Sequence, residues 1–89
     1  MKKILYLPLK AKWYEMIESG VKTEEYREIK RYWSKRLFFK GFTHVKFSYC
    51  YTNRTMTFEL ERITIGKGNP EWGAPTEDVF IIKLGKRIS

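Results

Sequence analysis

Apolar and polar positions along the first twenty residues predict a strand followed by a helix. The strand covers residues 4–7 and ends at Pro8, because proline cannot extend a hydrogen-bonded ladder. The helix covers residues 10–19, and Gly20 follows it in the C′ position that favours glycine. The apolar stripe of this helix consists of Trp13, Met16 and Ile17.

The next twenty residues predict an extended segment and a second helix. Residues 22–27 mix charged side chains with Thr23 and Tyr26 and are expected to be extended. The second helix is predicted at residues 29–39 and ends before Gly41. Its core stripe would consist of Ile29, Trp33 and Leu37.

The second half of the chain has the pattern of a β-sheet. Residues 45–51 alternate between apolar and polar, as in a half-buried strand. Residues 56–65 begin with the same alternation, which then slips by one position and so predicts a β-bulge. A loop rich in glycine and proline precedes a buried apolar strand at residues 79–84. We therefore predict an α+β protein, mainly β with two helices, whose closed or nearly closed sheet carries the helices on one side.

Size and composition limit the class of protein. The 89 residues are enough for one domain, and 43% of them are hydrophobic. Cys50 and His44 are the single cysteine and the single histidine, so we expect no disulfide, no metal site and no other cofactor. No apolar run is long enough to span a bilayer, and the apolar stretch at residues 4–9 is too short for a signal peptide. A cytoplasmic protein without a membrane partner is the expectation.

Positive charge is concentrated in the first part of the chain. The net charge is +8, and residues 1–54 carry 13 Lys and Arg against 5 Glu. One run of basic residues has no acid between its members, and it is expected to attract a phosphate backbone without base preference. An equally simple explanation is a soluble, lysine-rich surface. The run consists of Lys30, Arg31, Lys35, Arg36 and Lys40.

The segment that follows the first helix carries the strongest candidate chemistry. Gly20 allows a sharp turn out of the helix. Lys22 offers a point charge to a phosphate or carbonyl oxygen, and Arg27 offers a planar fork to a phosphate or a base edge. Glu25 can accept from an exocyclic amine or act as a general base. In a regular strand Glu25 and Arg27 share a face, and Lys22 joins them if the chain bends near Thr23. A purely structural ion-pair network would use the same residues.

Gly20, Lys22, Glu25 and Arg27 match the GxKxxExR pattern of the ASCH family, a branch of the PUA-like domains. Residues 65–88 also resemble the closing loop and strand of small ASCH proteins from bacteria and their phages. The resemblance implies a five-stranded pseudobarrel with a cleft lined by the motif, and a role in binding RNA or a nucleoside or nucleotide. Some members of the family hydrolyse acetylated cytidine or cleave RNA. In the deacetylating members a threonine stands at the position of Glu25.

Two further residues and two further functions complete the predictions. Trp72 and Lys67 lie in the loop at residues 66–78 and are expected to overhang the cleft and contact the ligand. The indole ring of Trp72 can stack on a base or plug the barrel end. The main alternative to a binding domain is a small hydrolase that uses Lys22 and Glu25 as catalytic residues. A third possibility is a module whose basic face binds an acidic protein.

Overall fold

A computed structural model describes residues 2–37 and 41–89 of the chain. The elements in chain order are β1 (Ile4–Leu9), α1 (Ala11–Glu18), β2 (Glu24–Glu28), α2 (Arg31–Leu37), β3 (His44–Tyr49), β4 (Thr55–Gly66), a short 3₁₀ helix (Pro70–Trp72) and β5 (Val79–Arg87). The strands form one curled mixed sheet in the order β1-β3-β4-β5-β2. β1 and β3 are parallel, and the other neighbouring pairs are antiparallel. The predicted α+β class, mainly β with two helices, is confirmed.

The core lies on the concave side of the sheet. Leu5, Leu7 and Leu9 of β1 face it, and Val45 and Phe47 of β3 lie beside them. Each is almost fully buried, as the alternation of apolar residues along both strands requires. Helix α1 packs against β1 and β3. None of the described helices is long and apolar enough to cross a membrane.

Strand β4 changes partner along its length, which curls the sheet. Its first residues pair with β3 and its later residues pair with β5. The register shifts between Phe58 and Leu60 and again between Leu60 and Arg62. These irregularities confirm the bulge that the slipped alternation predicted, since an extra residue in one strand bends it.

The two edge strands, β1 and β2, approach each other without a backbone ladder. Arg27 of β2 donates from Nη2 to the carbonyl oxygen of Pro8 in β1 at 3.2 Å. Arg36 of α2 donates from Nη2 to the carbonyl oxygen of Tyr6 in β1 at 3.4 Å. The prediction that β1 ends at Pro8 is wrong, because β1 includes Pro8 and Leu9. The strand continues to Leu9 because the missing N–H of proline faces this open edge, where no ladder bond is lost.

The helix ends differ in how well the sequence predicted them. Gly20 follows Ser19, the C-cap of α1, and has φ 87°, the left-handed conformation expected of a C′ glycine. Helix α2 begins two residues later than predicted, and Ile29 lies outside it and is exposed. β2 extends to Glu28, so the chain is still leaving the sheet at Ile29. Residues 38–39 of the predicted helix lie outside the described part of the chain.

Candidate functional site

The motif segment turns out of α1 and enters the sheet within four residues. The Lys22 N–H donates to the Met16 carbonyl at 3.0 Å, which ties the segment back to the helix. β2 then begins at Glu24 and pairs with β5, where Glu25 lies opposite Ile82. Glu25 and Arg27 therefore share one face of β2, and the bend after Gly20 brings Lys22 to the same face.

Lys22, Glu25 and Arg27 form a connected ion-pair cluster. Glu25 Oε1 lies 2.8 Å from Lys22 Nζ, and Glu25 Oε2 lies 3.0 Å from Arg27 Nη2. The side chains are 1%, 8% and 20% exposed, in the order Lys22, Glu25, Arg27. The three charged ends meet, and the Lys22 ammonium is buried. Two cations thus fix the orientation of one buried carboxylate.

Lys22 is enclosed by partners from three parts of the chain. Its ammonium donates to the Trp72 carbonyl at 2.8 Å in addition to Glu25. It also lies 4.5 Å from the ring centroid of Trp13 and 5.5 Å from that of Tyr26. A buried ammonium needs such compensation, because desolvating it is expensive. Lys22 therefore joins β2, α1 and the loop before β5.

That loop packs closely against the rings that surround Lys22. A Cβ atom on Gly68 would lie 2.7 Å from the Tyr26 ring, and one on Gly73 would lie 2.8 Å from the Trp13 ring. The Asn69 N–H donates to the Tyr26 hydroxyl at 3.0 Å. The loop needs glycine at these positions because side chains there would collide with the rings.

Trp72 and Lys67 contribute to the loop itself. Trp72 is half-buried, and it is its backbone carbonyl that contacts Lys22. Lys67 donates to the Thr76 carbonyl at 2.8 Å and pairs with Asp78 at 3.2 Å. Neither side chain is among those that line the two clefts described next.

A cleft of about 430 Å³ opens beside the cluster, at the seam between β1 and β2. The buried Glu25 and the half-buried Arg27 provide charged lining, and the exposed Lys10 provides a further cation. Tyr51 is 92% exposed, so its ring lies open to solvent at the cleft. The described residues that line it are Pro8, Leu9, Lys10, Trp13, Glu25, Arg27, Cys50 and Tyr51.

Lys10, Trp13 and Tyr51 are cleft residues that the sequence did not single out. Trp13 was interpreted as a core residue because it lies on the apolar stripe of α1. Tyr51 was interpreted as part of β3, but the strand ends at Tyr49 and Cys50 takes φ 53°. This left-handed residue turns the chain and leaves Tyr51 outside the sheet.

Arg27 also lines a second cleft, of about 500 Å³, on the side of α2. Its guanidinium lies 5.0 Å from the ring centroid of Trp33, and its buried Nε has no hydrogen-bond partner. Glu28 and Glu77 also line this cleft, so its charge is mixed. The first cleft is better suited to an anionic ligand, since Glu25, the one acidic residue among the described residues that line it, is paired with two cations.

The predicted basic run divides into residues with different environments. Arg31 and Lys35 are exposed on α2. Lys30 pairs with Glu28 at 3.2 Å, and both side chains are about two-thirds exposed. Arg36 is half-buried and contacts the Tyr6 carbonyl. Lys40 lies outside the described residues.

Tyr26, next to the cluster, has a perturbed ionisation. Burial raises the pKa of Tyr26 to about 12. The Asn69 N–H opposes this pKa shift, whereas the adjacent Glu24, which accepts from the hydroxyl at 2.8 Å, adds to it. The hydroxyl thus stays protonated as part of the contact between β2 and the loop. No three His, Cys, Asp or Glu side chains within residues 2–37 and 41–89 are grouped as a metal site would require.

The fold and the cluster together define an α+β protein with a charged cleft at the open seam of a curled five-stranded sheet. Comparisons with known protein families, with characterised proteins and with solved structures found no match to this chain.

Proposed function

We propose that this protein binds RNA or a nucleotide-sized ligand in the cleft at the β1–β2 seam. The observation that carries the proposal is the Glu25 carboxylate, which lines the cleft while Lys22 and Arg27 hold it in one orientation. A volume of about 430 Å³ lies in the usual range for small-molecule sites. The resemblance of residues 20–27 to the ASCH motif favours the same ligand class.

The lining groups match the parts of a nucleotide. Each Glu25 oxygen has a second lone pair, so the carboxylate can accept from an exocyclic amine while both ion pairs persist. Arg27 and Lys10 provide positive charge for a phosphate. Tyr51 offers an open ring for stacking on a base. Trp13 is less suited to stacking, because the ammonium groups of Lys12 and Lys22 already lie against its ring.

A hydrolase with Lys22 and Glu25 as catalytic residues has less support. Lys22 is not among the residues that line the cleft, and its side chain is 1% exposed. Both Glu25 oxygens are already paired with cations, so taking a proton from water would weaken an ion pair. A general base takes up a whole proton, which would neutralise the charge that compensates both cations, whereas accepting a hydrogen bond leaves that charge in place.

The test compares cytidine monophosphate with uridine monophosphate, because cytosine has an exocyclic amine and uracil does not. We expect cytidine monophosphate to bind about tenfold more tightly, since hydrogen bonds to charged groups contribute about 1.5–3 kcal/mol. NMR chemical-shift changes should be largest at Trp13, Glu25 and Tyr51. Arg27→Lys should weaken binding, because a lysine keeps the charge and loses the planar fork. The control is Arg62→Lys, since Arg62 is exposed on β4 and is not among the described residues that line the cleft. Shift changes that avoid the cleft, or equal affinity for both nucleotides, would contradict the proposed contacts.

A further inference from the structure

A third cavity, a groove of about 340 Å³, lies on the outer face of β1 and β3. Tyr6 of β1 and Lys46 of β3 are cross-strand neighbours on this face. Pro8 and Ser48 are the next outward pair, and Thr55 of β4 lies beside them. The cleft described above does not include Tyr6 or Lys46, so the groove adds new side chains to the surface.

The groove and the cleft adjoin each other. Pro8 and Tyr51 line both of them, so the Tyr51 ring lies between the two. The turn that carries Tyr51 is held by backbone contacts. The Cys50 N–H donates to the Leu9 carbonyl at 2.7 Å, and the Thr52 N–H donates to the Tyr49 carbonyl at 3.1 Å. A ligand that fills the cleft can therefore continue past Tyr51 into the groove.

The chemistry of the groove suits a polyanion that carries flat rings. Tyr6 is 58% exposed and Tyr51 is 92% exposed, which leaves two phenol rings open to solvent. Lys46 lines the groove, and the Arg36 guanidinium lies at the Tyr6 carbonyl. No acidic side chain is among the described residues that line it. Open aromatic rings beside cations are the arrangement that binds single-stranded nucleic acids, whose unpaired bases stack on the rings.

We propose that the groove binds the nucleotides next to the one in the cleft, so that the ligand is a single strand of RNA and not a free nucleotide. This inference rests on the proposed function. Tyr51 stacks at the junction, Tyr6 stacks on a neighbouring base, and Lys46 contacts the backbone. An acidic peptide would use the lysine but would gain little from the two open rings, which makes RNA the better match to the surface.

The experiment measures the affinity of cytidine monophosphate and of oligocytidylate of about eight nucleotides for each variant. Tyr6→Ala and Lys46→Ala should each leave the mononucleotide affinity unchanged. We expect Tyr6→Ala to weaken oligonucleotide binding by about tenfold, because stacking on an aromatic ring contributes about that much per base. Tyr51→Ala should weaken both ligands, since Tyr51 lines both cavities. Ile65→Ala is the control for an exposed apolar residue and Lys86→Ala for an exposed lysine, and neither should change either affinity.

The outcomes separate this inference from the proposed function. If the wild-type protein binds both ligands and neither Tyr6→Ala nor Lys46→Ala changes oligonucleotide affinity, the groove assignment is wrong and the cleft assignment stands. If the wild-type protein binds neither ligand, both are wrong. Binding of polyglutamate as tightly as of the oligonucleotide would overturn the assignment of RNA. The melting temperatures of Tyr6→Ala and Lys46→Ala should match that of the wild type, because both side chains face outward. This measurement distinguishes weaker binding from unfolding.

Discussion

Arg27 in β2 donates a hydrogen bond to the carbonyl oxygen of Pro8 in β1 at 3.2 Å, although these strands are the two opposite edges of the sheet. A side chain thus makes the contact that a backbone ladder would make in a closed barrel. The cleft lies at this contact and takes lining residues from both edges. The incomplete closure of the sheet is therefore what provides room for a ligand.

The first prediction concerns the buried carboxylate. Glu25→Gln removes the negative charge that compensates Lys22 and Arg27, and should lower the free energy of unfolding by about 3 kcal/mol. The matched control is Glu28→Gln in the same strand, whose ion pair with Lys30 is exposed and should contribute less than about 1 kcal/mol. Urea unfolding of both variants measures the difference. Equal losses would show that the cluster is not the stabilising centre that its burial indicates.

The second prediction concerns the attachment of the loop before β5. Lys22→Met keeps the length of the side chain but leaves the Trp72 carbonyl without its donor. The amide hydrogens of Trp72 and Ala74, which both donate to the Asn69 carbonyl, should then exchange faster with solvent. The Ile82 amide in β5 should keep its protection. Lys67→Met, which removes an exposed lysine from the same loop, serves as the control, and a similar acceleration there would argue against a special role for Lys22.

The third prediction follows from the pKa of Tyr26, which burial raises to about 12. The unfolded chain releases this proton near pH 10, whereas the folded protein keeps it. The raised pKa of Tyr26 therefore makes its full contribution to stability below pH 10. This contribution is lost as pH rises from about 10 to about 12. Tyr26→Phe should flatten the decline of stability in that interval. Tyrosinate absorbance that shows every tyrosine titrating near pH 10 in the folded protein would contradict this prediction.

The fourth prediction concerns the close approach of the loop to Tyr26. A Cβ atom on Gly68 would lie 2.6 Å from that of Ala74 and 2.7 Å from the Tyr26 ring, so Gly68→Ala should destabilise the protein by about 1–3 kcal/mol. In the control, Gly66→Ala, the nearest contact is an ordinary 3.6 Å to Ile81. Thermal unfolding should show a clear loss for Gly68→Ala and little change for Gly66→Ala. Similar melting temperatures would show that the loop can move away from the ring.

The fifth prediction concerns the exposed cations of α2. Arg31→Ala and Lys35→Ala should each reduce the slope of log affinity against log salt by up to about 0.7 for a single RNA strand. These two residues are chosen because they are exposed, whereas Arg36 is engaged with the Tyr6 carbonyl. Lys86→Ala on β5 should leave the slope unchanged. If Arg31→Ala and Lys35→Ala leave the slope unchanged, as the control does, this face of α2 does not contact the phosphate backbone.

Local patterns were sufficient to predict most of the sheet. The alternation around Phe47 predicted β3, and the slip after Leu60 predicted the irregular register of β4, because strand faces follow directly from a period of two. The same period placed Glu25 and Arg27 on one face of β2. The predicted end of β1 at Pro8 was wrong because the sequence does not show that β1 is an edge strand, where a proline costs no ladder hydrogen bond.

The burial of Lys22 could not be predicted from its neighbours in sequence. One of its hydrogen-bond partners, the Trp72 carbonyl, is 50 residues away, and a backbone carbonyl has no sequence signature. The sequence did not indicate the exposure of Tyr51 either, because the alternation of apolar and polar residues continues as far as Tyr51. The turn that removes Tyr51 from β3 depends on the left-handed conformation of Cys50. Residues other than glycine rarely adopt this conformation, so the sequence around Cys50 does not indicate it.

The arginine contacts along β1 also affect whether its open edge can pair with a strand of another molecule. An open strand edge with free carbonyl and N–H groups is a template for pairing with another chain and so for aggregation. Along the outer edge of β1, the Tyr6 and Pro8 carbonyls already accept from Arg36 and Arg27, and Pro8 has no N–H to offer. An incoming strand would have to displace two guanidinium groups and would still find a donor missing. The seam that leaves space for a ligand thus also discourages sheet extension between molecules.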